Sequence, residues 1–109
     1  MASALKVLGQ LNPSATTLTT LYTVPGATST VCSSLVICNR SSTATSFRVS
    51  VAVAGAADTG AQYLYYDVTI AGNDTFVATI GVSLAATDVV RVYATLATLS
   101  FSLFGQENT

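Results

Sequence analysis

The sequence predicts an all-β protein: an antiparallel β-sandwich, jelly-roll-like or a small barrel, with about eight strands in one domain covering residues 1–109. Three observations predict it. Apolar residues recur with a period of two through most of the chain, as expected where successive side chains point to opposite faces of a strand. Clusters of turn-forming residues separate these runs at short intervals. No segment carries a convincing helical period.

Taken in order, Ala4–Leu11 and Leu18–Val24 read as strands, followed by Thr30–Asn39 with apolar residues on both faces. A strand of that kind is central in its sheet or lies under a partner. Thr45–Ala54 alternates cleanly, with Phe47, Val49, Val51 and Val53 on one face. In Tyr63–Ile70 the alternation puts Leu64, Tyr66, Val68 and Ile70 inward and Tyr63, Tyr65, Asp67 and Thr69 outward. Thr75–Leu84 offers Phe76, Ala78, Ile80, Val82 and Leu84 to the core. Asp88–Thr95 offers Val90, Val92 and Ala94, against Arg91 and Tyr93, and Thr98–Phe104 offers Leu99, Phe101 and Leu103. The breaks fall at Asn12-Pro13-Ser14, Pro25-Gly26, Asn39 to Thr43, Gly55 to Gly60, Ala71 to Asp74 and Ala85 to Asp88, all rich in residues that turn the chain. Gly55 to Gly60 reads as a flexible connection of small residues.

Composition limits the function. Half of the 109 residues are hydrophobic and 8% are charged, with Thr and Ser (17 and 12 copies) supplying most of the polarity. An ordinary domain is about 25% charged. A surface so poor in charge is expected to be covered in part by neighbouring subunits, because interface cores are depleted in charge. A net charge of −1 with four scattered basic residues provides no electrostatic footprint for nucleic acid. The uncharged run from Val7 to Asn39 is too rich in Thr and Ser, and broken by Pro13 and Pro25, to read as a membrane helix.

The start, Met1 to Lys6, lacks the pattern of a secretory signal. Cys32 and Cys38 lie six residues apart on one extended strand, about 20 Å, beyond disulfide reach. Equal parity puts them on one face, so two buried free thiols are expected, consistent with a reducing compartment of synthesis. Asn39-Arg40-Ser41 and Asn73-Asp74-Thr75 match the glycosylation pattern but read as turns.

No catalytic constellation is visible. The chain has no His, which removes Ser-His and Cys-His relays and imidazole metal sites. Five dispersed acids make neither a calcium loop nor a paired-carboxylate cleft, and no Gly-rich phosphate loop occurs. The expectation is therefore no enzyme, no metal and no cofactor. Binding is better supported. Tyr63, Tyr65, Arg91 and Tyr93 are expected on faces turned away from the core, and Phe104 faces away from Leu103. Tyr and Arg combine broad contact with a polar tip and are enriched where proteins meet. These five are the candidate interface residues.

The stretches Lys6-Val7-Leu8-Gly9-Gln10 and Thr16-Thr17-Leu18-Thr19-Thr20-Leu21-Tyr22-Thr23-Val24-Pro25 resemble the opening of small virion proteins of tailed bacteriophages. Tyr63-Leu64-Tyr65-Tyr66-Asp67-Val68, Asn73-Asp74-Thr75-Phe76, Leu84 to Ala94 and Phe101-Ser102-Leu103-Phe104-Gly105 are similar to the same group. The resemblance spans nearly the whole chain. It implies a β-sandwich on the particle, assembled in the host bacterial cytoplasm, and brings no catalytic motif.

The expected function is that of a non-enzymatic virion structural protein, foremost a capsid decoration or cement protein stabilising the head. Its partners are expected to be its own copies, as a homotrimer or other symmetric oligomer, and other virion proteins such as the major capsid protein. Nucleic acid and membrane are not expected partners. A neck, baseplate or tail component is the alternative within the class. The alternative outside it is a glycan- or receptor-binding module at a fibre tip, with Tyr63, Tyr65 and Tyr93 stacking on sugar rings.

Overall fold

The structure, a computed structural model, describes residues 2–109. It is all-β, with nine strands in two antiparallel sheets. The strands are β1 (Ser3–Leu11), β2 (Thr19–Thr23), β3 (Ser29–Asn39), β4 (Thr45–Ala52), β5 (Tyr63–Ile70), β6 (Thr75–Ala78), β7 (Val82–Leu84), β8 (Val89–Ala94) and β9 (Leu99–Asn108). One sheet runs β1-β9-β3-β6, with β7 also on β3, and the other runs β2-β8-β4-β5. We call them the nine-edge sheet and the eight-edge sheet, after β9 and β8. If β6 and β7 count as one interrupted strand, first pairs with last, second with second-last, and so on inward. That nested order is the jelly roll, whose two Greek keys place consecutive strands mostly in opposite sheets.

The count exceeds the expected eight because Thr75–Leu84 breaks. Thr79 to Gly81 leave the ladder, with Gly81 at φ +56°, and the two halves rejoin β3 at different registers. The expected inward set nevertheless holds, since Ala78 and Leu84 are buried and Phe76, Ile80 and Val82 pack on the core. β3 is central in its sheet, as its two apolar faces indicate.

Phe47, Phe101, Leu35, Ile37, Leu99, Leu103, Val49 and Val92 are fully buried between the sheets. Phe47 stands at the centre of an aromatic cluster, 5.1 Å from Phe76, 6.1 Å from Tyr65 and 6.4 Å from Phe101 between ring centroids, all tilted or edge-on. Such offset geometry matches negative ring faces to positive edges. The accessible surface is 5324 Å², close to the roughly 5,700 Å² expected of a compact monomer of this mass. The chain therefore closes its own core without a neighbour.

Two buried polar residues tie the loops to this core. Asn39 donates through Nδ2 to the carbonyls of Thr43 and Ala71, and its Oδ1 accepts from Ser41 N–H and Thr98 Oγ1. All its capacity is used, which removes the cost of burying an amide. Asp88 accepts from Ala54 N–H at one oxygen and Ala85 N–H at the other.

Register shifts interrupt four of the strand pairings, and those on β3 and β5 correct the expected faces. On β3, Ser33 is an extra residue between the pairs Cys32–Gly105 and Ser34–Phe104. A one-residue insertion flips every side chain beyond it to the other face. Cys32 is accordingly in the core, whereas Cys38 is half-buried on the outer face, so the two thiols do not share a side. Both are free. On β5, the pairs Phe47–Val68 and Val49–Tyr65 leave Tyr66 and Asp67 together opposite Arg48, with Asp67 at φ +53°. The expected split of that strand is therefore half wrong. Tyr65 turns inward against Phe47 and Phe76, while Leu64 and Tyr66 are exposed. On β1, Leu8 is the extra residue between Val7–Phe104 and Gly9–Leu103.

The segment expected as a flexible connection has structure. Residues 53–62 form two 3₁₀ turns, Val53–Gly55 and Gly60–Gln62, and Val53 is exposed instead of continuing the core face of β4. Arg91 holds the segment down, its two terminal nitrogens donating to the carbonyls of Ala56 (2.8 Å) and Gly55 (3.1 Å).

Candidate interaction surfaces

The two sheets present outer faces of opposite chemistry. On the eight-edge sheet, β4 contributes Arg48, β8 contributes Arg91 and Tyr93, and β5 contributes Tyr63, Tyr66 and Asp67. The bulge explains the cluster, because two consecutive β5 residues are aimed at the one β4 residue opposite them. Arg48 Nε donates to Asp67 Oδ1 at 2.6 Å and its Nη2 to Oδ2 at 3.3 Å. Its guanidinium carbon lies 4.2 Å from the Tyr66 ring centroid and 4.4 Å from that of Tyr93. A cation between two rings is attracted to both negative faces. The Asp67 hydrogen bond raises the Arg48 pKa further.

Tyr63 meets Tyr66 edge to face at 5.0 Å and donates to Asp58 Oδ2 at 3.1 Å. Burial, and then the Asp58 hydrogen bond, raises the Tyr63 pKa. Every charge on this face is thus matched within the chain: Arg48 by Asp67, Arg91 by two carbonyls, Asp58 by the Tyr63 hydroxyl.

Among the described residues, the outer face of the nine-edge sheet carries no Lys, Arg, Asp or Glu. Cross-strand pairing places Leu5 beside Gln106 and Val31, Val7 beside Phe104 and Ser34, Gln10 beside Ser102 and Val36, and Cys38 beside Ser100 and Thr75. Val77 extends the face on β6, opposite Val36. Leu5 is 84% exposed and Val77 64%, the first and third most exposed of the large apolar side chains. The remainder are hydroxyls and amides. Such a mixture of apolar and neutral polar groups is what the charge-depleted centre of a protein interface contains.

The charges nearest this face are turned inward. Lys6 Nζ meets Glu107 Oε1 at 2.8 Å, and Glu107 Oε2 accepts from the Tyr22 hydroxyl at 2.5 Å, which also bonds Thr30 Oγ1 at 2.8 Å. The hydrogen bond from Lys6, followed by that from Tyr22, holds the Glu107 carboxyl below the usual range. Burial first, then the Glu107 hydrogen bond, pushes Tyr22 up to about 12. Burial alone pushes the Cys32 thiol up to about 11.

The five candidate interface residues do not form one surface. Tyr63, Arg91 and Tyr93 lie on the outer face of the eight-edge sheet, Phe104 on the outer face of the other, and Tyr65 packs against the core. With Tyr65 inside and Arg48 over Tyr93, Tyr63, Tyr65 and Tyr93 do not make an open stacking platform. Sequence reasoning missed Arg48, Tyr66 and Asp67 because the bulge that joins them has no local signature. Val77 could have been found, since β6 alternates and Phe76 and Ala78 already supply its core face, whereas alternation with Ala4 and Lys6 would have assigned Leu5 and Val7 to the core.

Two open surface depressions lack charged residues: one of about 370 Å³ beside Ser46, Thr69, Thr95 and Leu96, and one of about 360 Å³ beside Gln10, Leu11, Ser100 and Phe101. Among the described residues no group of three or more His, Cys, Asp or Glu could hold a metal ion, and no helix is long and apolar enough to cross a membrane. No protein-family model, curated protein or solved structure matches the chain.

Proposed function

We propose that the chain is a non-enzymatic structural protein of a bacteriophage virion, decorating the capsid as a cement protein. The observation that carries this reading is the charge-free outer face of the nine-edge sheet. It is broad and semi-apolar, and the fold leaves it uncovered although the core is already complete. A self-sufficient fold with an uncovered neutral face is suited to lying against other subunits. The resemblance to small virion proteins supplies the setting, and a jelly roll is a fold that viral capsid domains also use, although fold alone does not fix function.

The mechanism is mechanical. A subunit that binds the assembled shell and not its dissociated parts stabilises the shell by mass action. Contacts would be made with copies of this chain and with the major capsid protein, and assembly would take place in the host cytoplasm. Quantitative mass spectrometry of purified particles tests the reading. Head decoration predicts a copy number comparable to that of the major capsid protein. A small fraction of that number would move the chain to the neck, baseplate or tail, and absence from particles would end the virion reading.

A further inference from the structure

We propose that the free edge of β1 pairs with itself: two copies join their nine-edge sheets by antiparallel β1–β1 pairing across a two-fold axis at Leu5. The proposal deepens the virion reading and rests on it only for the expectation that copies of the chain meet.

Each sheet has two edges, and unpaired edges are ordinarily blunted by brevity, bulges, charge or proline. β2 is five residues long and bulged, β5 is bulged at Asp67, and the β6–β7 edge is broken at Thr79 to Gly81. The stretch Ser3–Val7 of β1 differs. It is regular, pairs on one side with β9, and among the described residues no strand occupies its other side. It contains no proline, and its one charge, Lys6, is drawn to Glu107 on the inner side of the sheet. Leu5, at its middle, is the most exposed large apolar side chain of the chain, at 84%.

The hydrogen-bond phase is right for pairing. Ala2 and Thr109 exchange both their bonds, Ala2 N–H to Thr109 O at 2.9 Å and Thr109 N–H to Ala2 O at 2.7 Å. In an antiparallel ladder such doubly bonded pairs recur at every second residue. Ala4 and Lys6 therefore spend their backbone groups on β9, and those of Ser3, Leu5 and Val7 point to the open side. Centring a two-fold on Leu5 sets Leu5 against Leu5 and Ser3 against Val7. The three pairs exchange roughly six backbone hydrogen bonds.

The same register settles the side chains. Lys6 falls opposite Ala4 of the second copy, so no like charges face each other across the seam, an arrangement that would destabilise a strand pair. Val7 and Phe104, adjacent across the β1–β9 ladder, continue through Leu5 into the matching residues of the second copy. The result is one continuous sheet with a charge-free outer face of doubled width. A two-fold contact of this kind is self-complementary and closes at two copies.

Leu5→Cys in a Cys38→Ser background tests the pairing. Opposed residues in a doubly bonded antiparallel pair lie about 5.5 Å apart between Cα atoms, within disulfide geometry. Mild oxidation should give a disulfide-linked dimer with Leu5→Cys and none with Leu64→Cys, which is exposed on β5. Leu5→Lys should reduce the native mass to one chain with an unchanged circular dichroism spectrum. Cross-linking no greater at Leu5 than at Leu64, or a native mass of three chains insensitive to Leu5→Lys, would overturn the proposal. Presence in particles without β1 dimers sinks only the pairing, whereas β1 dimers with absence from particles sink only the virion reading.

Discussion

The two outer faces of this sandwich start from similar strands and end with different uses of polarity. On the eight-edge sheet a bulge at Asp67 gathers Tyr66, Asp67 and Arg48, and Tyr93 closes over the guanidinium. That face consumes its own charge, so its side chains hold each other and contribute to stability. On the nine-edge sheet, bulges at Leu8 and Ser33 flank Phe104, and the outer residues are apolar, hydroxyl or amide. Bonds between side chains there join neutral groups only, Gln10 to Ser102 and Gln106 to Asn108, and among the described residues no ion pair holds the face together. The difference teaches that low overall charge need not mean a uniformly bland surface. The few charges are concentrated where they stabilise the fold, leaving a second face available for contact.

The largest effect should come from the core that both faces share. Phe47→Ala removes the ring at the centre of the aromatic cluster and should cost about 3–5 kcal/mol. Chemical denaturation followed by fluorescence and circular dichroism should show one coincident transition, whereas separate transitions for the two sheets would break the premise that they are one unit.

Next is the anchor beneath the β1 edge. Tyr22 is pushed up from 10.0 to about 12, so the folded state holds its proton more tightly than the unfolded one. Its contribution is complete below pH 10 and is lost as pH rises toward 12, with a loss on the order of 2 kcal/mol. Cys32, raised from 9.0 to about 11, adds a loss of the same sign beginning near pH 9. Tyr22→Phe should flatten the upper part of this alkaline slope in urea titrations run from pH 8 to 12.

The faces themselves separate in the smaller effects. Arg48→Ala should cost about 1–2 kcal/mol through lost ring and carboxylate contacts. Val77→Asp, on the other face, should stay within about 0.5 kcal/mol in the same melts. Equal costs at the two positions would erase the distinction between a self-held face and a free one. At the small end, with no change in stability, native protein should present one reactive thiol to a thiol-specific reagent, Cys38, and a second, Cys32, only on unfolding. Two thiols of equal reactivity would contradict the bulge at Ser33.

The thiols also show where sequence reading reaches its limit. Alternation in Phe47 to Val51, Val90 to Ala94 and Leu99 to Leu103 identified core-facing residues correctly, because the extra residues of their ladders lie on the partner strands and not on these three. Parity carried across Cys32–Cys38 or Tyr63–Ile70 failed, because an inserted residue is set by the partner strand and not by local composition. Ser33 is extra only in relation to β9, and Asp67 only in relation to Arg48, nineteen residues earlier in the chain. The candidate interface was legible in kind, as Tyr, Arg and Phe residues turned outward, but not in membership. Membership depends on strand order, which joins β1, β9, β3 and β6 from distant parts of the chain.

The native mass by light scattering, over a range of concentrations, tests the division of labour between the faces most directly. The wild type should approach twice the 11.2 kDa chain mass, Leu5→Lys should fall to a single chain, and Arg48→Ala should remain associated though less stable. A wild-type monomer at every concentration, or association lost with Arg48→Ala and kept with Leu5→Lys, would contradict the account.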